Sequence, residues 1–315
     1  MHDRNLLSCV AHLRQKPLFL EIIRIELLII FTLTFDSLTM MKYACLITIA
    51  MSLHVFAVAQ EASLFEDIKS HSKGIALWWA GHNGWLIKTD ELLISTDILL
   101  DYDKRMIPSS VTAEELAQVL DISFVTHGHG DHFDRRTSRI LSEKGHCLFV
   151  LPESCLQIAS DLEIPEHRIL VAKPREIFEV KGIEVTPLRA IHGNANFAIY
   201  YEANLKDCGY VINVSGTRFL QPGDSYLLED HLFLKDIDVL FFSPTEHNMY
   251  IDRSVILINR LDPAYIFPQH HSTVLVTEET RFWAKGYPDE VKIRLSQPLQ
   301  KRYQIPTQGK KVDIK

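Results

Sequence analysis

Cysteine is scarce in this chain. Five cysteines occur in 315 residues, and no two of them form a Cys-x-x-Cys pair. Neither a disulfide scaffold nor a Cys-x-x-Cys metal or redox motif therefore organises the fold.

The sequence also lacks an excess of positive charge, internal repeats and low-complexity segments. Its 33 Lys and Arg residues stand against 40 Asp and Glu residues, a net charge of −7. That balance gives no basic surface for nucleic acid or anionic lipid, although small anions are not disfavoured. A hydrophobic content of 47% is ample for the core of one large domain or two small ones.

One short stretch carries most of the chemical information. The apolar run Ile122–Val125 predicts a buried strand, and a polar loop follows it abruptly. Four metal-binding side chains lie in that loop within six residues: His127, His129, Asp131 and His132. Gly128 and Gly130 allow the backbone to turn tightly enough for these donors to converge. The stretch predicts a metal site.

Two more polar residues follow predicted strands farther along the chain. His192 comes after the predicted strand Ile183–Leu188, and Asp224 comes after the predicted strand Thr217–Leu220. Each signal is weak alone. Placed behind the main motif, both residues are predicted to be metal ligands.

The motif His127-x-His129-x-Asp131-His132 after a hydrophobic strand resembles the signature of the metallo-β-lactamase-fold hydrolases. The resemblance extends over roughly residues 74 to 275. It implies an α/β fold, a four-layer αββα sandwich of two facing sheets flanked by helices.

The resemblance also implies a ligand set for two metal ions. The predicted strand Ala264–Thr273 contains a Pro-x-His ending, and the family pattern selects His270 rather than its neighbour His271. The first ion would be held by His127, His129 and His192, the second by Asp131, His132 and His270, with Asp224 bridging. Such a set suits two Zn²⁺ ions, while Mn²⁺ or Fe fits the second position.

The implied chemistry is hydrolysis. A water shared by two cations loses a proton near neutral pH and becomes the nucleophile. Asp131 or Asp224 would accept a proton as the leaving group departs. The pattern is most similar to the sugar-lactone hydrolase and N-acyl-phosphatidylethanolamine phosphodiesterase branch, which implies a small ester, lactone or phosphodiester substrate.

Alternatives remain open. A periplasmic β-lactam or thioester hydrolase and a non-catalytic metal-binding protein of the same fold are both compatible with the sequence. An iron-dependent redox member is disfavoured because that branch has Glu where this chain has His129. We expect a small-molecule substrate and no nucleic-acid partner; the oligomeric state is not predicted.

Several polar residues have two interpretations. His82 lies in a Gly-flanked turn; it is either a residue that supports a metal ligand or an ordinary turn residue. Asp97 closes a predicted strand; it either lies near the metals or caps a helix or turn. Glu246, His247 and Tyr250 border the pocket or belong to a solvated loop, and the latter is favoured. The segment from Thr277 onward carries no predicted chemistry. It is predicted to pack as a C-terminal helix and arm, in which residues 291–295 are strand-like.

The first 59 residues are expected to lie outside the hydrolase domain, which we place at 60–315. Residues 41–59 resemble a secretory signal with an Ala-x-Ala cleavage site before Gln60, which predicts a periplasmic or secreted protein without stable membrane insertion. We interpret residues 1–40 as an over-extended reading frame, with translation starting at Met40 or Met41. In an oxidising compartment Cys147, Cys155 and Cys208 could form at most one disulfide.

Overall fold

The computed structural model of the protein describes residues 63–191 and 204–315, which form two mixed β-sheets with helices. The predicted signal segment and His192 lie outside the described residues. Those two predictions therefore stay predictions.

The first sheet contains seven strands. They are β1 (Ile75–Gly81), β2 (Gly84–Lys88), β3 (Leu93–Thr96), β4 (Ile122–Phe124), β5 (Leu148–Pro152), β6 (Ile169–Ala172) and β13 (Lys311–Ile314). Their order is β13-β1-β2-β3-β4-β5-β6. Neighbours are antiparallel from β13 to β3 and parallel from β3 to β6.

In the described part of the chain, the second sheet contains six strands. They are β7 (Phe178–Val180), β8 (Ile183–Arg189), β9 (Cys208–Val214), β10 (Thr217–Gln221), β11 (Val239–Phe242) and β12 (Tyr265–Pro268). Their order is β12-β11-β10-β9-β8-β7, and the three strands from β10 to β12 are parallel.

The helices are short. They are α1 (Leu64–Ser70), α2 (Ala113–Ala117), α3 (Arg135–Lys144), α4 (Leu156–Asp161), α5 (Glu229–Leu232), α6 (Tyr250–Leu261), α7 (Arg281–Ala284), α8 (Pro288–Lys292) and α9 (Gln297–Arg302), with 3₁₀ turns at Glu153–Cys155 and Glu166–Arg168. A capping box begins α2. Thr112 Oγ1 accepts from Glu115 N at 3.1 Å, and the Glu115 carboxylate accepts from Thr112 N at 2.9 Å.

Alternation of side chains along the strands produces three hydrophobic clusters. In β11, Phe241 packs between the sheets, whereas Leu240 packs toward α6 and the later helices. In β1, Leu77 packs between the sheets, whereas Trp78 joins the cluster that includes α1, α2 and α3. Because successive side chains point to opposite faces, both faces of each sheet are covered. The predicted four-layer αββα sandwich is confirmed.

The segment after α7 differs from its prediction. The apolar residues from Val291 to Leu295 were predicted to be strand-like, but α8 covers Pro288–Lys292 and turns follow it. Proline at the first helical position and two acidic residues in the first turn favour a helix start. The strand of this segment is β13, which pairs with β1.

The three cysteines of the described ranges are buried, and none of them forms a disulfide: Cys147, Cys155 and Cys208. Across residues 63–191 and 204–315, the helices are too short or too polar to cross a membrane.

A buried carboxyl group links the start of β9 to the turn before α4. Asp207 is 6% exposed and accepts a hydrogen bond from Ser154 Oγ at 2.5 Å. Burial raises the pKa of Asp207 to about 6, although Ser154 and His132 favour the ionised form. The folded chain therefore holds this proton more tightly than the unfolded chain does. The stabilisation is complete below pH 4 and is lost as the pH rises through 6.

We expect Asp207→Asn to stabilise the protein more at pH 8 than at pH 5, by about 1–2 kcal/mol. Asparagine imitates the neutral carboxyl group and can still accept from Ser154. Urea unfolding of the wild type and the variant at both pH values, in the same metal-free buffer, measures the difference. An equal difference at the two pH values would contradict the assignment.

Candidate metal centre

The predicted motif forms a tight loop between β4 and α3. His127 and His132 are buried, whereas His129 lies on the solvent side. The carbonyl of His129 accepts from the backbone N–H groups of His132 and Phe133 at 3.1 and 2.7 Å, which closes the turn. A Cβ on Gly128 would lie 2.9 Å from Cδ1 of Ile158, so a larger residue there would require the end of that side chain to shift.

Asp97, directly after β3, holds this loop in place. Its Oδ1 accepts from Thr126 N at 2.8 Å, and its Oδ2 accepts from Thr126 Oγ1 at 2.8 Å and from His132 Nδ1 at 2.9 Å. All these groups are buried. With Nδ1 of His132 donating to Asp97, the Nε2 atom of the same ring points toward the second sheet.

Asp224 meets the loop from that second sheet. It follows β10 and is 2% exposed. Its Oδ1 lies 3.4 Å from His132 Nε2 and 2.8 Å from His270 Nε2, and its Oδ2 lies 2.8 Å from His247 Nε2. One carboxylate thus contacts imidazoles from three different loops. The preceding residue, Gly223, is required because a Cβ there would lie 2.7 Å from Thr126 Cβ.

The electrostatics of the cluster keep Asp224 ionised. Burial alone would raise its pKa, but His270, His132 and His247 together hold the pKa of Asp224 well below its usual range. Burial likewise disfavours the charged form of His132, yet Asp224, Asp97 and Asp131 raise the pKa of His132 well above its usual value. The buried carboxylates therefore demand positive charge between them.

Two backbone carbonyls fix the orientation of the other histidines. His270 Nδ1 lies 2.6 Å from the Trp283 carbonyl oxygen, and His247 Nδ1 lies 2.9 Å from the Phe282 carbonyl oxygen. A carbonyl only accepts, so each Nδ1 carries the proton and donates it. Each ring then presents Nε2 to Asp224.

This arrangement fits a bound cation. A neutral ring so oriented directs a lone pair at a carboxylate oxygen 2.8 Å away, which is repulsive unless a proton or a metal ion lies near both atoms. Asp224 Oδ1 and His270 Nε2 are both fully buried, and neither makes a hydrogen bond. Buried polar atoms without a hydrogen-bond partner are expected where a metal ion is bound.

His82 belongs to the same cluster. Its Nε2 lies 3.1 Å from Asp131 Oδ2, its ring centroid lies 4.1 Å from that of His270, and its Nδ1 is buried without a partner. Burial, and next the neighbouring His270, lowers the pKa of His82 to about 3. His82 is therefore a neutral donor inside the centre and not a solvated turn residue.

The donor atoms form two groups of metal-binding size. One group contains His82, Asp131 and His270, and the other contains His127, His132 and Asp224. Six of the seven predicted ligands lie in the described residues: His127, His129, Asp131, His132, Asp224 and His270. His129 Nδ1 lies 3.1 Å from His127 Nε2, beside the second group. The grouping differs from the predicted division because His82 lies beside Asp131 and His132 lies beside His127.

The preference for a solvated loop at 245–250 is wrong for His247, which is 3% exposed. Glu246 is also paired, as described below. The position of this loop in the fold could have indicated that it lies at the metal centre. It follows β11, which is parallel to β10 and β12, so it lies at the edge of the sheet where those two strands also end. The carbonyls of Phe282 and Trp283 have no side-chain signature, and sequence reasoning missed them.

Comparison with known proteins identifies the family. The model of the beta-lactamase superfamily domain matches residues 76–270. The chain belongs to this superfamily. The matched range contains both groups of donor atoms, and it ends at His270, before the carbonyls that orient His247 and His270.

Relatives of this beta-lactamase superfamily chain include a metal-dependent hydrolase from Carboxydothermus hydrogenoformans. The two are 26% identical over 228 residues, which cover 69% of this chain and 95% of that protein. A protein named probable L-ascorbate-6-phosphate lactonase, from Salmonella heidelberg, is 26% identical over 121 residues, which cover 34% of each chain. The chain is therefore a metal-dependent hydrolase of the superfamily.

Solved structures show the same fold. An isothiocyanate hydrolase from Delia radicum gut bacteria superposes with a TM-score of 0.60 and 16% identity, covering 76% of this chain and 99% of that one. A metallo hydrolase from Ignicoccus hospitalis gives a TM-score of 0.58 and 18% identity, covering 76% and 98%. These similarities extend to architecture and not to substrate.

We expect Asp97→Asn to weaken metal binding by about 10–100-fold, as the loss of a residue that orients a ligand commonly does. The asparagine amide has only one acceptor oxygen, so it cannot accept from Thr126 N on one side and from His132 Nδ1 and Thr126 Oγ1 on the other. Zinc titration by calorimetry measures the change, with Asp103→Asn as the control because the Asp103 side chain is 88% exposed. Equal affinity of wild type and Asp97→Asn would refute the orienting role.

Proposed function

We propose that the protein is a two-metal hydrolase, most suited to Zn²⁺, that cleaves a small ester, lactone or phosphodiester. The observation that carries this proposal is the buried Asp224 carboxylate, which lies within 3.4 Å of the Nε2 atoms of His132, His247 and His270. A buried carboxylate ringed by oriented imidazoles is the donor chemistry of a zinc centre with a carboxylate ligand.

The residues divide between two positions. His127, His132 and Asp224 would hold one ion, with His129 beside them, and His82, Asp131 and His270 would hold the other. His192 stays a predicted ligand. When bound, the pair would supply a hydroxide nucleophile near neutral pH and would polarise the oxygen of the scissile bond.

The two catalytic carboxylates have different surroundings. The Asp224 side chain is 2% exposed and that of Asp131 is 13% exposed, so only Asp131 can exchange protons with solvent. Burial opposes ionisation of Asp131, but His132 and His82 hold its pKa well below the usual range. Asp131 therefore enters the reaction ionised, and its carboxylate would take the proton that the attacking oxygen loses and pass it to the oxygen of the leaving group.

The substrate class rests on the resemblance to lactone and phosphodiester hydrolases and on the lactonase relative, whose match covers only a third of each chain. A β-lactam or thioester is the second candidate, favoured by the proposed export of the chain through residues 41–59. A non-catalytic metal-binding role is disfavoured because every predicted ligand residue is present.

Protein expressed from Gln60 onward and purified without chelator should contain about two zinc equivalents per chain by elemental analysis. It should hydrolyse at least one member of a panel of lactones, phosphodiesters, thioesters and β-lactams. Protein that is folded but lacks metal would contradict the proposal, and iron in place of zinc would point to redox chemistry.

Against the substrate found in that panel, His129→Ala should lower kcat/KM by at least about 100-fold, because the exposed side of the centre loses a donor. The matched control is His167→Ala, which removes an imidazole from the exposed turn before β6. Full turnover by His129→Ala would exclude the metal mechanism.

A further inference from the structure

The segment 280–287 lies beyond the range that the family model matches, yet it touches two histidines of the centre. We propose that Glu246 is a positioning residue: through Arg281 and Tyr287 it seats this segment, whose carbonyls set the orientation of His247 and His270. This inference rests on the proposed two-metal centre. It adds Glu246, which is not among the predicted metal ligands.

The chemistry begins with α7. A helix leaves its last four carbonyl groups without intrahelical donors, and α7 is only four residues long. Two successive carbonyls, those of Phe282 and Trp283, therefore remain free to accept from side chains. They accept from His247 Nδ1 at 2.9 Å and from His270 Nδ1 at 2.6 Å. One turn of helix thus orients two rings from two different loops.

Glu246 fixes that turn from both sides. Its Oε1 accepts from Arg281 Nε at 3.0 Å, from Arg281 Nη2 at 2.8 Å and from Tyr287 Oη at 2.6 Å. Arg281 directly precedes the two carbonyls, and Tyr287 follows them after a short turn. Because Glu246 adjoins His247 in the chain, these bonds join the loop that carries the histidine to the segment that orients it.

The backbone of the segment also contacts His270. Gly286 N donates to the His270 carbonyl at 2.6 Å, and a Cβ on Gly286 would lie 2.7 Å from that oxygen. His270 itself has a left-handed backbone conformation, with φ of 55°. The segment therefore holds both the main chain and the ring of His270. These contacts stabilise a left-handed backbone conformation that is otherwise unfavourable for a residue with a Cβ.

A purely structural role for Glu246, Arg281 and Tyr287 would only attach the segment 280–287 to the rest of the fold. Asp252 and Arg294 supply a matched control, because this pair also joins the later segment to the fold but contacts no residue of the centre. If Glu246 is a positioning residue, substitutions at Glu246 or Tyr287 change metal binding and substitutions at Asp252 or Arg294 do not.

The test is a calorimetric zinc titration of the full protein and four variants: Glu246→Ala, Glu246→Gln, Tyr287→Phe and Asp252→Ala. We expect Glu246→Ala to weaken the weaker zinc-binding step by about tenfold, the lower end of the effect of orienting groups. Tyr287→Phe removes one hydrogen bond and should weaken it less. Glu246→Gln retains an acceptor oxygen and should recover most of the affinity, and Asp252→Ala should bind as the wild type does.

A second readout reports the protonation of Nδ1 directly. In ¹⁵N-labelled histidine spectra of the metal-free protein, Nδ1 of His247 and Nδ1 of His270 should both carry a proton in the wild type. Glu246→Ala should leave Nδ1 partly unprotonated at both rings, whereas Asp252→Ala should leave both rings unchanged.

Glu246→Ala with the zinc affinity and Nδ1 protonation of the wild type would overturn the inference. So would a loss of zinc affinity in Asp252→Ala as large as that in Glu246→Ala. If Glu246→Ala does not fold, wild-type zinc affinity in folded Tyr287→Phe would overturn it. A wild type that binds no zinc would overturn the two-metal function as well. Two zinc ions bound equally by wild type and variants would overturn only the positioning role.

Discussion

A carboxylate buried among imidazoles is the constraint on which the metal centre depends. Asp224 cannot remain ionised at 2% exposure without positive charge beside it, and His132, His247 and His270 are arranged to share that charge with a cation. Each ring is in turn fixed at its other nitrogen, by Asp97 or by a carbonyl. The fold therefore has to bring five separate loops to one point.

The sheet topology achieves this because strands β3, β4, β10, β11 and β12 all end at the centre. Three of the residues that follow or interrupt strands there have left-handed backbones although none is glycine: His82, Asp97 and His270, with φ of 53°, 43° and 55°. Such conformations are costly for residues with a Cβ and persist where surrounding bonds hold them. Below the centre, Gln221 and Gln269 donate to each other at 3.0 and 2.9 Å and join the two parallel strands that carry Asp224 and His270.

The sequence was sufficient for the parts of the site that are encoded locally. Ile122–Val125 and the His-rich loop after it predicted both the strand and the donors, and the resemblance carried by this motif implied the sandwich. His247 was misjudged because its burial depends on packing against Phe282, which is 35 residues away. The carbonyls of α7 could not be predicted, since backbone acceptors depend on how a segment docks and not on which residues it contains. The strand-like interpretation of residues 291–295 is wrong because apolar residues of this kind also fit one face of a helix, and Pro288 favours a helix start.

Pairing of β13 with β1 joins residues 311–314 to the first strand of the sandwich. During synthesis, β1 emerges from the ribosome more than two hundred residues before its partner, and the carbonyls that orient His247 and His270 emerge late as well. A nascent chain therefore exposes the metal donors before their orientation is set. In the proposed two-metal protein, high-affinity metal binding would therefore be completed only after the later segment has docked.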